Sequence, residues 1–110
     1  RQMCIRDSSM EEWEALYQRQ AEVLKALAHP VRLRIVRGLL ECGCRNVSCM
    51  ERATGQSQSA ISQHLNRLKH AGVLECARSG NEVYYQVADP RVADIVQALF
   101  HGEEDDCCEL

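Results

Sequence analysis

One stretch restricts what this chain can fold into more than any other: Thr54 to Gly72, reading T-G-Q-S-Q-S-A-I-S-Q-H-L-N-R-L-K-H-A-G. Ser57 is a good helix N-cap, and Gly72 suits the left-handed residue just past a helix C-terminus. Between them Ile61, Leu65 and Leu68 recur at i, i+4 and i+7. The spacing predicts a helix of about fourteen residues with one apolar stripe. At about 100° per residue, Ser59, Gln63, Asn66, Arg67 and His70 fall opposite that stripe, and Gln58 and Ser62 flank it.

That second face holds hydroxyls, amides and cations and no carboxylate. Such groups donate to phosphate oxygens and read base edges, Gln and Asn pairing with adenine and Arg with guanine. A polar stripe is also what any solvated helix presents, so the stripe alone does not decide. Two further features favour DNA reading: Thr54-Gly55 is a tight break, and a short helical stretch, Asn46 to Ala53, precedes it. Helix, short Gly-containing turn and polar-faced helix together form the helix-turn-helix pattern.

Charge supports this placement despite a formal net charge of -3. Between Pro30 and Gly80 there are eight Lys or Arg against three acids, a local balance of +5. The acids gather at the ends, with Glu11, Glu12 and Glu14 at one and Glu103, Glu104, Asp105, Asp106 and Glu109 at the other. This segregation fits a basic reading surface with acidic material held away from DNA.

The rest of the chain supplies a frame for that helix. Arg1–Ser9 lacks periodicity and an initial methionine, so residues 1–9 are expected to be a disordered or non-native leader, with Met10 a natural start. Trp13, Leu16, Tyr17, Gln20, Leu24 and Leu27 then follow helical spacing over about four turns. Ala28-His29-Pro30 ends that helix, because the residue before proline disfavours the α region while proline is welcome in a first turn. A second helix, Pro30 to about Leu40, places Val31, Ile35, Val36, Leu39 and Leu40 over most of its circumference and should be largely buried, with Arg32, Arg34 and Arg37 emerging between them. In the short helix, Val47, Met50 and Ala53 should face inward and Cys49 should lie off that stripe. Val73–Arg78 and Glu82–Val87 are β-rich runs around Ser79-Gly80-Asn81, a hairpin signal, and a basic hairpin after a reading helix is a wing.

Asp89 and Pro90 open a last helix as N-cap and first residue, and Val92, Ile95, Val96, Leu99 and Phe100 give it a strong apolar face. Part of that face is core. Two terminal amphipathic helices around a small winged unit nevertheless expose more apolar surface than one such domain covers, so a homodimer is expected. The domain is read as residues 10–102 and the remainder, 103–110, as an acidic cysteine-containing tail. No run approaches the roughly 18 apolar residues of a membrane span, and no secretory signal is visible, so a cytoplasmic location without membrane contact is expected.

The sequence resembles the ArsR/SmtB (arsenical-resistance repressor) family of winged helix-turn-helix regulators. The resemblance rests on A-L-A-H-P-V-R-L-R-I-V from Ala26, Q-S-A-I-S-Q-H-L-N-R-L-K-H-A-G-V-L from Gln58 and R-S-G-N-E-V-Y-Y-Q-V from Arg78, in this order and spacing. It spans about Leu16 to Phe100. It implies a mainly α fold of order α-α-α-α-β-β-α, dimeric through its first and last helices, that represses from a double-stranded DNA operator and leaves it when an inducer binds. It also places Ser62 and His64 at the DNA, although a solvated or backbone-bonded role for His64 stays open. With the face read above, the DNA-contact set is Gln58, Ser59, Ser62, Gln63, His64, Asn66, Arg67, His70 and Arg78.

Seven cysteines are many for 110 residues. Without a secretory signal, metal, metalloid or redox chemistry is favoured over a disulfide framework. Trivalent arsenic or antimony wants three thiolates, and Cys42, Cys44 and Cys49 offer three within eight residues beside the reading helix. They are the candidate sensor for As(III), Sb(III) or a soft metal ion, with no obligatory cofactor implied. Cys107 and Cys108 are further candidates. Family members with a cysteine site on the third helix carry C-V-C where this chain has Asn46-Val47-Ser48, and the last-helix zinc pattern is broken by Arg91 in place of a histidine. Known persulfide-sensing relatives carry a cysteine where Arg37 stands here. The favoured function is a repressor released by a thiolate-bound metalloid or soft metal. The alternatives are a thiol redox or persulfide-responsive repressor and a thiol-rich metal-binding or interaction module that does not read DNA. No nucleophile-base arrangement or phosphate-binding glycine loop suggests an enzyme.

Overall fold

The computed structural model of the chain describes residues 10–41 and 46–102. Its elements are α1 (Met10–Leu27), α2 (Pro30–Glu41), α3 (Val47–Thr54), α4 (Gln58–His70), β1 (Leu74–Ser79), β2 (Glu82–Val87) and α5 (Pro90–Leu99). The order is the expected winged helix-turn-helix, mainly α with one antiparallel hairpin.

Local chemistry sets the boundaries. His29 caps α2 in two ways: its carbonyl accepts from Leu33 N–H at 2.9 Å and its Nδ1 accepts from Val31 N–H at 3.1 Å. Asn46 caps α3 by accepting from Cys49 N–H at 2.9 Å, and Ser57 caps α4 by accepting from Ala60 N–H at 3.2 Å. Gly55, at φ 73°, closes α3 and makes the tight turn between α3 and α4. At the end of α4 the N–H of Val73 reaches Leu68 O at 3.0 Å and that of Gly72 reaches Lys69 O at 3.0 Å, with Gly72 at φ 82°. This paired closure is the Schellman motif, which turns the chain out of α4 straight into the wing.

The wing pairs Leu74 with Val87 through Ser79 with Glu82, leaving Gly80 and Asn81 as its two-residue loop. Gly80 takes a positive φ of 64°, which suits a hairpin turn that matches strand twist. Of β1 only Leu74 is buried, while Tyr85 and Val87 of β2 pack against the core.

The core gathers on the apolar stripe of α4. Ile61, Leu65 and Leu68 are buried together with Ala26, Leu27, Ile35, Val36, Met50, Val73, Leu74, Val92 and Val96, drawing every helix and the start of the wing onto one cluster. Two expectations need correction. Arg37 does not emerge from α2: it is 5 % exposed, with its guanidinium carbon 4.2 Å from the centre of the Phe100 ring and its Nε 3.2 Å from Glu41 Oε1. An aromatic face and a carboxylate together compensate its lost hydration. Cys49 is not off the packed side of α3 but half-buried against the core.

Large apolar side chains remain outside on the two terminal helices: Leu16, Tyr17 and Leu24 of α1 are 44 %, 62 % and 56 % exposed, and Leu99 of α5 is 60 % exposed. Among the described residues no helix is long and apolar enough to cross a membrane.

Because Leu68 is fully buried in the common cluster, Leu68→Ala is expected to destabilise the fold by about 3 kcal/mol, with a cavity contribution added to lost transfer energy. Urea unfolding followed by circular dichroism measures this. A loss under about 1 kcal/mol would mean that α4 is not seated through this stripe.

Candidate nucleic-acid interface

With one face of α4 fixed in the core, the opposite face is left to solvent. Gln58, Ser59, Ser62, Gln63, Asn66 and His70 are all exposed, as the helical wheel predicts. Arg78 is exposed on β1 beside them in the chain order, paired across the hairpin with Val83. The six α4 side chains form a continuous row of hydroxyl, amide and imidazole groups on the second helix of a helix-turn-helix.

His64 and Arg67 behave differently, for both are only partly exposed and both are engaged by other helices. Arg67 directs Nη1 and Nη2 at Glu22 Oε1 of α1, each at 3.4 Å. The exposed face of α4 has no carboxylate of its own, yet the fold brings one to it. Both side chains are more than a third exposed, so this pair is worth at most about 1 kcal/mol and leaves Arg67 free to exchange partners.

His64 is held by α2. Its Nδ1 lies 3.3 Å from Arg32 Nη1, and its ring centre lies 4.6 Å from that of His29, tilted by 52°. Arg32 in turn donates its Nε–H to Ala26 O at 2.5 Å, tying the end of α1 to the same cluster. Burial, then His29, then Arg32 push the His64 pKa below its ordinary value. Neither His29, Arg32 nor Glu22 stands out in the sequence as part of the surface. The H-P pair at a helix start was the readable clue for His29, since proline at the first position makes the preceding residue the cap.

At the other edge, Arg91 closes the start of α5. Its Nε and Nη2 donate to Asp89 Oδ1 and Oδ2 at 3.0 and 2.6 Å, and its Nη1 donates to Gln20 Oε1 of α1 at 2.8 Å. The Arg91 hydrogen bonds hold the Asp89 carboxyl below the usual carboxylate range. Asp89 is thus occupied by a cation of the chain itself. An apolar cleft of about 260 Å³ lies alongside, lined by Gln20, Val23, Leu24, Asp89, Arg91 and Ile95.

Of the sensor candidates, Cys42, Cys44, Cys107 and Cys108 lie outside the described residues. Cys49 is engaged in a disulfide, with its partner outside the described residues, and Cys76 is a free, exposed thiol on β1. Among the described residues no three His, Cys, Asp or Glu side chains converge as a metal site.

Comparison with known proteins agrees with this geometry. A family model described as a helix-turn-helix domain matches residues 27–77. The HTH-type transcriptional repressor SmtB of Mycobacterium tuberculosis is 47 % identical over 85 residues, covering 76 % of this chain and 62 % of that protein. The probable mercury resistance operon repressor of Streptomyces lividans is 37 % identical over 93 residues, covering 80 % of this chain and 74 % of that one. Among solved structures, the homodimeric winged helix-turn-helix DNA-binding domain Mb0332 of Mycobacterium bovis, described as a possible ArsR-family transcriptional regulator, superimposes with a TM-score of 0.71 at 34 % identity. That match covers 89 % of this chain and 86 % of that one.

The thiol assignments are checked by alkylation under non-reducing conditions and peptide mass spectrometry. Cys76 should label at once, while Cys49 should label only after reduction. Equal labelling of both before reduction would contradict the disulfide at Cys49.

Proposed function

We propose, for a chain that belongs to the ArsR/SmtB family of winged helix-turn-helix transcriptional regulators, that α4 lies in the DNA major groove and that the wing tracks the adjoining backbone. The chain is a DNA-binding transcriptional repressor of this type. The observation that carries the proposed contact surface is the exposed row on α4, in which no side chain is acidic. Gln58, Gln63 and Asn66 are the amides suited to base edges, Ser59 and Ser62 suit phosphate or base, and His64, Arg67, His70 and Arg78 suit phosphate, with Arg67 also able to pair with guanine.

The working unit is proposed to be a homodimer. Leu16, Tyr17 and Leu24 on α1 and Leu99 on α5 leave apolar area that a second copy would cover, and α1 and α5 are already joined through Arg91 and Gln20. Two-fold symmetry would set the two reading helices about 34 Å apart on a palindromic operator.

For release, the reading supported by chemistry is a thiolate site for As(III), Sb(III) or a soft metal built from Cys42, Cys44 and Cys49, with Cys107 and Cys108 as further candidates. Cys49 is disulfide-bonded, so such a thiolate site forms only in the reduced protein. The same bond favours a second reading, in which oxidation of these thiols is itself the signal.

A duplex recovered from random-sequence selection on the purified protein supplies the DNA probe. Gln63→Ala and Arg67→Ala are each expected to weaken binding about tenfold, within the roughly 1–3 kcal/mol of a lost base contact. Unchanged binding in both would remove α4 from the interface, and a protein that retained metal but no duplex would be a thiol-binding module instead.

Titrating arsenite, antimonite, cadmium, zinc, copper(I) and polysulfide into the protein–duplex complex addresses release. Arsenite should free the DNA from the wild type and fail with Cys42→Ser, Cys44→Ser or Cys49→Ser. Release by polysulfide or oxidant alone would select the redox reading, and arsenite release surviving all three substitutions would exclude this site.

A further inference from the structure

The cluster joining α2 to α4 has a chemical consequence for DNA binding. A guanidinium is a donor only, so the Arg32 Nη1 at 3.3 Å from His64 Nδ1 requires that nitrogen to be an unprotonated acceptor. The remaining proton of a neutral imidazole then sits on Nε2. Nε2 of His64 has no partner among the described residues, and it is not among their buried unsatisfied atoms, so solvent reaches it. His29 is constrained in the same way: its Nδ1 accepts from Val31 N–H, and its ring centre lies 4.6 Å from that of His64.

We propose that Arg32 and His29 are positioning residues of the reading surface, holding His64 as the neutral Nε2–H form so that it offers a single outward donor to a DNA phosphate oxygen. The proposal rests on the DNA-reading role of α4 and refines it. Protonating Nδ1 would set a second cation 3.3 Å from the Arg32 guanidinium, with Arg67 also close enough to act on Arg32. The depressed pKa of His64 agrees with this. The groups facing His64 are the cation Arg32 and the ring of His29, both at the start of α2, and among the described residues no carboxylate is paired with it. A neutral donor of this kind orients the helix on the backbone without adding to counterion release, because it brings no charge. The hydrogen bond from Arg32 to Ala26 O anchors the guanidinium, so the imidazole is fixed to the packed body and not to the mobile end of a long side chain.

The test combines long-range ¹H–¹⁵N spectra of the histidine rings with binding to a duplex selected on the wild-type protein. In the wild type, His64 should show a protonated Nε2 and a bare Nδ1 and titrate below the ordinary imidazole range. Arg32→Met should mix the two tautomers, raise the titration toward the ordinary value and weaken binding about tenfold while leaving the salt dependence unchanged. Combined with His64→Ala, Arg32→Met should weaken binding no further, and His64→Gln should recover part of what His64→Ala loses, since its amide supplies an acceptor and a donor at once. His29→Asn, which keeps a good cap for α2, gives a second route to the same tautomer mixing if Arg32→Met fails to fold.

Losses that add across Arg32→Met and His64→Ala, with the salt slope reduced by about one, would make Arg32 a direct phosphate contact and overturn the positioning role. A His64 tautomer unmoved by both Arg32→Met and His29→Asn would overturn it as well. Failure of the wild type to retain any duplex would overturn this inference together with the DNA reading, whereas retained binding with additive losses overturns this inference alone.

Discussion

Burial of Ile61, Leu65 and Leu68 is the constraint on which the rest of the molecule depends. Each large aliphatic side chain removed from water contributes about 1.5–3 kcal/mol. Rotating α4 about its axis would expose that stripe and bring Gln63, Asn66 and Arg67 inward, where each unpaired amide or charge costs several kcal/mol more. The two penalties act in the same direction, so the helix has one seat. Ser57 and the Gly72 closure fix where it starts and stops, and the chain leaves it directly into β1. The exposed row of hydroxyls and amides is therefore a product of packing before it is a feature of recognition.

Much of this was legible because it is local. Caps, the proline at the first position of α5, the i, i+4, i+7 stripe and the Gly80-Asn81 hairpin are properties of a few neighbouring residues, and each reappears at or within a residue of its expected place. What could not be read is the meeting of side chains distant in sequence. Glu22 and Arg67 are 45 residues apart, and Arg32 and His64 are 32 apart. Periodicity says which face of a helix is apolar, but not which neighbour lies against its border, where long polar side chains such as Arg32 and Glu22 find partners. Arg37 escaped for a related reason: a helical wheel assigns an arginine to solvent and cannot foresee that Phe100 will lie over it.

These contacts alter how the positive charge of the middle region is understood. Its balance of +5 already sets Glu41 against the buried Arg37, but it omits Glu22, which shares Arg67. The charge presented to a phosphate backbone is smaller than the count. On the proposed contact surface, the neutral donors of α4 need to be held in one orientation. Long flexible cations tolerate loose placement; an amide or an imidazole does not, because its hydrogen bond weakens steeply with angle.

Control of such a surface asks for little motion. Cys49 lies in the first turns of α3, half-buried against the core, and α3 reaches α4 through the Gly55 turn with Met50 and Ile61 sharing one cluster. A thiol event at residue 49 can influence DNA only through a difference in its free energy between the bound and free arrangements of α4. The short turn makes that difference large for a small shift, since α3 cannot move independently of α4 without opening the shared apolar contacts. A sensor on a long tether would have to bind far more tightly to produce the same effect. The proximity of Cys49 to the Gly55 turn that leads into α4 is thus the physical reason for seeking the inducer at α3 and not at α5, where Arg91 already occupies Asp89.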